Sequence, residues 1–154
     1  MMLQHPFISS ARLLIDDAVV DVMMKNRQLQ NNDAESGGIL LGLRRDHHLH
    51  VTSLTTPCPA DKRSRMGFQR TDKLHQAKAL AAWRESGGVV DYIGEWHSHP
   101  EQHPSPSSID TREWRSICQF QRKPMVFLIA GTLAHLWSGV GHNSDVRQAL
   151  PPLA

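Results

Sequence analysis

Two histidines and an aspartate are spaced along the sequence so that they could hold one metal ion. His97 and His99 are two residues apart, so both imidazoles point to the same side if the preceding strand continues through them. Asp110 follows a loop with three prolines and lies in the first turn of a predicted helix, which the loop can fold back over the strand end. Three such ligands leave a fourth tetrahedral position open, as in catalytic rather than structural zinc sites.

Two further residues could complete a hydrolytic site around such an ion. Zinc lowers the pKa of bound water to ~7, and a hydrolase also needs a base to move that proton to the leaving group. Glu35 is our candidate for the base, because it directly precedes the apolar run 37–43 and so lies at a strand end. Ser107 lies three residues before Asp110, and its hydroxyl could donate to a developing oxyanion.

Each of these residues also has a simpler interpretation. The chain contains 10 histidines, so a pair at spacing two can arise by chance. Ser107 and Asp110 have the spacing of a capping box, with serine at the N-cap and an acid three residues later. Glu35 by itself could be an ordinary surface acid. The capping geometry is expected here in any case, and it does not exclude catalysis.

The elements that must position these residues alternate along the chain, which predicts an α/β or α+β domain. Apolar runs and alternating patterns predict strands, and apolar residues at helical spacing predict helices. The predicted strands are 12–15, 37–43, 50–55, 89–97, 125–130 and 133–140, and the predicted helices are 16–29, 71–85 and 107–121. The second helix is expected to be capped by Thr71 and to bury Leu74, Ala77, Leu80, Ala81 and Trp83. Residues 60–66 are expected to be a basic loop.

Length and composition are typical of a single globular domain. The chain has 154 residues, 40% of them hydrophobic, and a formal charge of +2, which argues neither for nor against nucleic acid. We expect no nucleic-acid partner. We find no signal peptide, no apolar run long enough for a membrane span and no paired cysteines, so we expect a cytoplasmic protein. Residues 1–142 are predicted to form the domain and residues 143–154 a flexible tail.

The spacing His97, His99, Ser107 and Asp110 matches the JAMM motif of the JAB/MPN metallopeptidase family. The upstream glutamate of that family falls on Glu35, and the residues that follow it, 36–42, resemble the family's first core strand. The order of helices and strands from about residue 8 to residue 141 also resembles that family. Five positions and the elements between them agree, so the resemblance is specific.

The resemblance implies both the fold and the chemistry. It implies the cytidine-deaminase-like JAB/MPN fold, a curled mixed β-sheet flanked by helices. It implies one Zn²⁺ held by His97, His99 and Asp110, with Glu35 as general acid/base and Ser107 steadying the tetrahedral intermediate. Members of the family cleave isopeptide or peptide bonds that follow the C-terminal glycine of ubiquitin or of ubiquitin-like proteins.

The short chain and residues 94–100 (Gly-Glu-Trp-His-Ser-His-Pro) resemble the bacterial branch found in anti-phage operons. In the cyclic-oligonucleotide defence systems (CBASS), such a peptidase removes a nucleotidyltransferase that E1/E2-like enzymes have conjugated to targets. We favour this assignment over general processing of ubiquitin-like or sulfur-carrier proteins. A zinc-binding scaffold without activity is a third possibility, although a pure scaffold needs no base at Glu35. A zinc deaminase would need a Cys-x-x-Cys ligand pair in addition to a His-x-Glu motif, and the sequence contains no such cysteine pair.

Residues outside the motif give weaker signals. The connection 57–70 is long for a compact domain, so it either lies beside the cleft and pairs with an extended substrate tail or is a plain surface loop. Cys58 is expected to be a bystander, and Cys118 and Trp96 are expected in the core. His103 lies in the loop over the predicted metal site, where it could touch substrate or have no role.

Overall fold

The computed structural model describes residues 1–152, which form one large mixed sheet, three helices and a small separate hairpin. The strands are β1 (Met2–Gln4), β2 (Arg12–Ile15), β3 (Gly37–Arg45), β4 (His48–Leu54), β5 (Lys62–Ser64), β6 (Gly67–Gln69), β7 (Asp91–Ser98), β8 (Met125–Ala130), β9 (Leu136–His142) and β10 (Asp145–Gln148). The helices are α1 (Asp17–Lys25), α2 (Leu74–Glu85) and α3 (Ser108–Gln121). No helix within this part of the chain is long and apolar enough to cross a membrane.

The large sheet runs in the order β1-β2-β4-β3-β7-β8-β9-β10. Its β2–β4 and β7–β8 pairs are parallel, and its other pairs are antiparallel. The two edges approach each other, because Gln4 of β1 exchanges backbone hydrogen bonds of 2.9 and 3.2 Å with Leu150. The sheet is therefore strongly curled, which confirms the predicted fold class.

Two apolar clusters on opposite faces of β8 hold the helices against the sheet. Val126, Leu128 and Ala130 belong to the cluster that also buries Val19 and Met23 of α1. The alternate residues of β8 belong to the cluster that buries Trp114 and Cys118 of α3. Because both of its faces are covered, β8 is a continuous apolar run rather than an alternating one. The predicted core positions of Cys118 and Trp96 are confirmed, each being 1% exposed.

The helix α3 connects the parallel strands β7 and β8 and so determines where Asp110 lies. Its N-cap is Ser107, whose hydroxyl accepts the Asp110 N–H while the Asp110 carboxylate accepts the Ser107 N–H. This capping box fixes the first turn of the helix. The start of α3 is thereby placed beside the end of β7, where His97 and His99 lie.

Several predictions from the sequence are wrong in detail. Residues 62–64 and 67–69, predicted as loop or connection, form the β5–β6 hairpin. The first helix ends at Lys25 rather than at residue 29, because the backbone of Asn26 leaves helical geometry (φ -102°, ψ 15°), and its side-chain amide donates to the Val22 carbonyl at 2.8 Å. The predicted flexible tail is wrong for β10, which pairs with β9 along Asp145–Gln148.

The prediction for α2 is wrong in both its start and its buried face. The helix begins at Leu74, where the Asp72 carboxylate accepts the Leu74 N–H at 2.9 Å, and Thr71 does not cap it. Leu74, Leu80 and Trp83 are each nearly half exposed. His75 is the one residue of α2 that is fully buried.

His75 lies in a buried polar chain that ties α2 to the sheet. Its Nδ1 lies 2.5 Å from Thr55 Oγ1 and its Nε2 lies 2.7 Å from Asp61 Oδ2. Thr55 Oγ1 also accepts the Ile39 N–H of β3, and Asp61 Oδ2 also accepts the Cys58 N–H. With both ring nitrogens already bonded, this cluster is a structural network.

Replacing this histidine is expected to destabilise the fold. His75→Ala removes a bond from a buried carboxylate and from a buried hydroxyl, so we expect a loss of about 2–4 kcal/mol in the free energy of unfolding. Urea denaturation of the variant against the wild-type chain measures it. Gln76→Ala, on the exposed side of the same helix, is the control and should change stability by less than about 0.5 kcal/mol. Equal losses in the two variants would contradict the structural role of His75.

Candidate active site

Three side-chain atoms from two elements meet at the end of β7. His97 Nε2 lies 3.0 Å from His99 Nε2, and Asp110 Oδ2 lies 3.3 and 3.1 Å from these two nitrogens. Ligands at ~2.0–2.1 Å from a tetrahedral zinc are separated by ~3.3 Å. This triangle of two imidazole nitrogens and one carboxylate oxygen therefore has the size and the donor set that a tetrahedral metal ion requires.

Glu35 lies close to this triangle, on the side of His99. Its Oε1 is 3.8 Å from His99 Nε2, and ligand-type atoms of Glu35, His97 and His99 all lie within 4.8 Å of one another. The Glu35 carboxylate is further from His99 Nε2 than the Asp110 carboxylate is, at 3.8 Å against 3.1 Å. The structure thus brings together all five residues that the sequence singled out: Glu35, His97, His99, Ser107 and Asp110.

The carboxylates of the site differ in their electrostatic surroundings. Burial raises the pKa of Glu35 to about 7, despite the opposing influence of His99. Burial also opposes ionisation of Asp110, but hydrogen bonds from His97 and His99 and from the Ser107 N–H outweigh it and hold the Asp110 pKa well below its ordinary value. Asp110 is therefore suited to be a permanently charged ligand, and Glu35 to gain and lose a proton near neutral pH.

Glu101 orients one of the histidines and was missed in the sequence. Its Oε1 lies 2.7 Å from His99 Nδ1. A carboxylate at this position keeps the proton on Nδ1 and leaves the lone pair of Nε2 directed at the ligand triangle. The only signal in the sequence is an acid two residues after His99, which is too common a feature to single out by itself.

The site lies in a cleft of about 740 Å³ between the β5–β6 hairpin and α3. Residues 66–71 form one wall, and Ser107, Ile109, Asp110 and Glu113 are on the other. The floor includes Glu95, which accepts hydrogen bonds from Arg70 Nη2 at 2.7 Å and from Tyr92 Oη at 2.8 Å. Arg70 and Glu95 tie the base of the hairpin to β7, and no feature of the sequence predicted this pair.

The hairpin also contacts the segment that carries Glu35. The Glu35 N–H donates to the Ser64 carbonyl at 2.8 Å, and Arg63 Nε donates to the Glu35 carbonyl at 2.7 Å. The ring of Phe68 lies within 2.7 Å of where a Cβ at Gly37 would be, so only glycine allows this close approach. Of the two predictions for the connection 57–70, the position beside the cleft is confirmed for its second half.

Two other sequence candidates lie outside the cleft. His103 packs its ring on His135, with 4.1 Å between the centroids, and does not line the cleft. Cys58 lies in the buried cluster with Asp61 and His75 and likewise does not line it. Burial raises the pKa of the Cys58 thiol, which disfavours the reactive thiolate.

Comparison with known proteins agrees with this geometry. The family model described as prokaryotic homologs of the JAB domain matches residues 16–147. This chain belongs to the prokaryotic JAB family. The predicted family is thereby confirmed, and the motif residues lie within the matched range.

Curated relatives and solved structures extend this result. A CD-NTase/cGAS isopeptidase of Escherichia coli is 36% identical, over 88% of this chain and 86% of its own. A probable metalloprotease of Sinorhizobium fredii, y4qB, is 31% identical, over 81% of this chain and 82% of its own. A Desulfitobacterium hafniense protein shares the fold, with a TM-score of 0.65, 22% identity and 92% of each chain covered. The chain is thus a JAB-type isopeptidase, and the predicted enzyme class is confirmed.

Removing the carboxylate beneath His99 is expected to weaken metal binding. Glu101→Gln exchanges a charged acceptor for a neutral amide, so His99 is less basic and less fixed in orientation; we expect about tenfold weaker Zn²⁺ binding. Competition with a chromophoric chelator measures the affinity. Glu113→Gln makes the same change at a cleft carboxylate that does not bond a histidine, and it should bind Zn²⁺ like the wild-type chain. Wild-type affinity in Glu101→Gln would show that Glu101 does not support the site.

Proposed function

We propose that this protein is a zinc-dependent isopeptidase that releases the C-terminus of a ubiquitin-like protein, or of a nucleotidyltransferase, from a conjugated target. One observation carries the proposal. A buried carboxylate, Glu35, lies 3.8 Å from His99 Nε2 of the triangle of candidate ligand atoms, inside a cleft that the β5–β6 hairpin lines. A site built only to hold a metal would not need Glu35.

The ligands in this proposal are His97, His99 and Asp110. The two Nε2 atoms and Asp110 Oδ2 would hold the ion, and the mutual distances of 3.0–3.3 Å support this assignment. When bound, zinc supplies a Lewis acid that polarises the scissile carbonyl and lowers the pKa of water to ~7. Nitrogen and carboxylate ligands with no thiolate are typical of hydrolytic zinc sites.

Glu35 and Ser107 would carry out the proton transfer and the charge stabilisation. Glu35 accepts the proton of the attacking water and then donates it to the lysine amine as the isopeptide bond breaks. The Ser107 hydroxyl accepts the Asp110 N–H at 3.1 Å, so its own hydrogen is available to the oxygen that gains negative charge. Ser107 thus combines capping with catalysis.

The names of the relatives support the anti-phage assignment. The Escherichia coli relative is named a CD-NTase/cGAS isopeptidase. This name fits a peptidase that removes a conjugated nucleotidyltransferase, as in CBASS. The proposed substrate is such a conjugate, made by E1/E2-like proteins encoded beside this chain and cleaved in the cytoplasm. General processing of ubiquitin-like or sulfur-carrier proteins is the alternative. The neighbouring genes distinguish the two, because an E1/E2 pair beside a nucleotidyltransferase would assign this chain to the CBASS pathway.

The wall formed by the hairpin fits an extended tail. The β5 strand contacts the Glu35 segment through Ser64, while β6 lines the cleft and pairs with β5 alone in its two-stranded sheet, so a further strand could add to its other edge. Met66 at the hairpin turn and Ile109 at the start of α3 are 75% and 56% exposed on opposite walls. We infer that the tail pairs with β6 and passes between these two apolar side chains towards the site.

Loss of the base should separate metal binding from cleavage. Glu35→Ala and Glu35→Gln should both retain one Zn²⁺ per chain and lose at least about 100-fold in kcat, because proton transfer then has no side-chain carrier. His99→Ala should lose both zinc and cleavage. Metal analysis of the purified proteins and gel assays on a purified conjugate measure the two properties. Cleavage by Glu35→Ala at the wild-type rate would exclude the proposed base.

A charge on the apolar wall of the cleft should weaken substrate binding. Ile109→Glu should raise KM for a conjugate about tenfold with little change in kcat, because it removes apolar contact with the tail but no reacting group. Phe120→Glu makes a similar change on the same helix outside the cleft, at a residue that is 84% exposed, and should leave KM unchanged. Equal KM values for the two variants would contradict the proposed path of the tail.

A further inference from the structure

A buried glutamine, Gln28, lies beside the site and uses all of its hydrogen-bonding groups. It is 3% exposed, in the irregular segment after α1. Its Oε1 accepts from Ser98 Oγ at 2.9 Å, and its Nε2 donates to the carbonyls of Asp33 and Arg65 at 3.1 and 2.8 Å. A primary amide has two N–H donors, and both are used here, so the orientation of the side chain is fixed.

The first partner of Gln28 is the residue between the two histidines. Ser98 is fully buried, and its Oγ accepts the Ser36 N–H at 2.9 Å. The Ser98 N–H in turn donates to the Ser36 carbonyl at 2.8 Å. The residue that follows Glu35 is therefore bound twice to the strand that carries His97 and His99, and Gln28 holds the hydroxyl that makes one of these bonds.

The other two partners of Gln28 belong to the segment that carries Glu35 and to the hairpin that contacts this segment. Asp33 precedes Glu35 in the same segment, and Arg65 lies in the turn of the β5–β6 hairpin. Ser64, next to Arg65, accepts the Glu35 N–H through its carbonyl at 2.8 Å. One amide group thus joins three segments: the histidine strand, the segment carrying Glu35, and the hairpin that forms a wall of the cleft.

We propose that Gln28 is a positioning residue, which sets Glu35 relative to the paired histidines and fixes the hairpin against both. The inference rests on the proposed function, because Glu35 acts as a base only if the chain is a hydrolase. Glu35 is not supported by a β-ladder at its own position, since β3 begins at Gly37. Its placement depends on hydrogen bonds to Ser64 and Arg63 and on the neighbouring Ser36–Ser98 pair. Gln28 bonds directly to Ser98, which makes one of these contacts, and to Arg65, which is the neighbour of Ser64.

The test compares catalysis, metal content and local opening in Gln28→Met. Methionine has a similar length but forms none of these hydrogen bonds. We expect about one Zn²⁺ per chain, because Gln28 touches none of the three ligands, and a kcat about 10–100-fold lower per metal-loaded folded chain. Amide hydrogen exchange at Glu35 and Ser36 should be about tenfold faster, while exchange in β8 stays unchanged.

Gln30→Met is the matched control. It makes the same chemical change two residues away at an exposed side chain, and it should retain wild-type kcat and exchange. Ser98→Ala removes the hydroxyl without adding volume, so it should reproduce the losses of Gln28→Met and serves where that variant does not fold.

The outcomes separate the two proposals. A Gln28→Met protein with a lower thermal midpoint but wild-type kcat and wild-type exchange at Glu35 and Ser36 would show a merely structural role and overturn the inference. A wild-type chain that binds zinc but cleaves no conjugate would overturn the proposed function instead. In that case the exchange rates alone decide whether Gln28 holds the Glu35 segment, because they do not depend on activity.

Discussion

The arrangement of the site depends on one oxygen atom, Asp110 Oδ2, which takes part both in the capping box of α3 and in the triangle of candidate metal ligands. Asp110 Oδ2 accepts the Ser107 N–H at 2.9 Å as part of the capping box, and it also contacts both histidine nitrogens. The bond that starts α3 therefore also determines where the helix meets β7. Because β7 and β8 are parallel, the chain must cross over between them, and the crossover brings the start of the helix to the strand end. Local helix chemistry and ligand geometry are satisfied by the same carboxylate.

The sequence predicted the site better than it predicted the surroundings of the site. His97 and His99 share a face by strand periodicity alone, and the capping spacing placed Asp110 at the helix start. Both inferences rely on local backbone geometry, which can be predicted from the spacing of residues along the sequence. Glu35 was a candidate because it precedes a strand, but a lone acid there has no specific local signature, and the family resemblance was needed to single it out.

The errors occurred where tertiary contacts override local preference. The β5–β6 hairpin has two strands of three residues, and β5 is Lys-Arg-Ser, which has no apolar alternation. It is held by contacts with residues 35–37, far away in the sequence. The helix α2 buries a histidine and leaves its larger apolar residues half exposed, because a buried Asp61–His75–Thr55 chain decides which face packs inward. Residues 145–148, within the predicted frayed end, pair with β9, and Leu150 pairs with Gln4 of β1 and so helps to close the curl of the sheet.

The proposed metal ligands and the proposed base are supported by different parts of the fold. The ligands lie on β7 and on α3, which are anchored to β8 through the two apolar clusters. Glu35 lies on an irregular segment and is held by polar contacts with the hairpin and with Ser98. Hydrogen bonds contribute less net stability than a packed core, so we expect the segment with Glu35 to open at a lower free energy than the elements that carry His97, His99 and Asp110. A substrate strand added to β6 would stiffen the hairpin that holds Glu35, and binding of the tail would thereby help to fix the base.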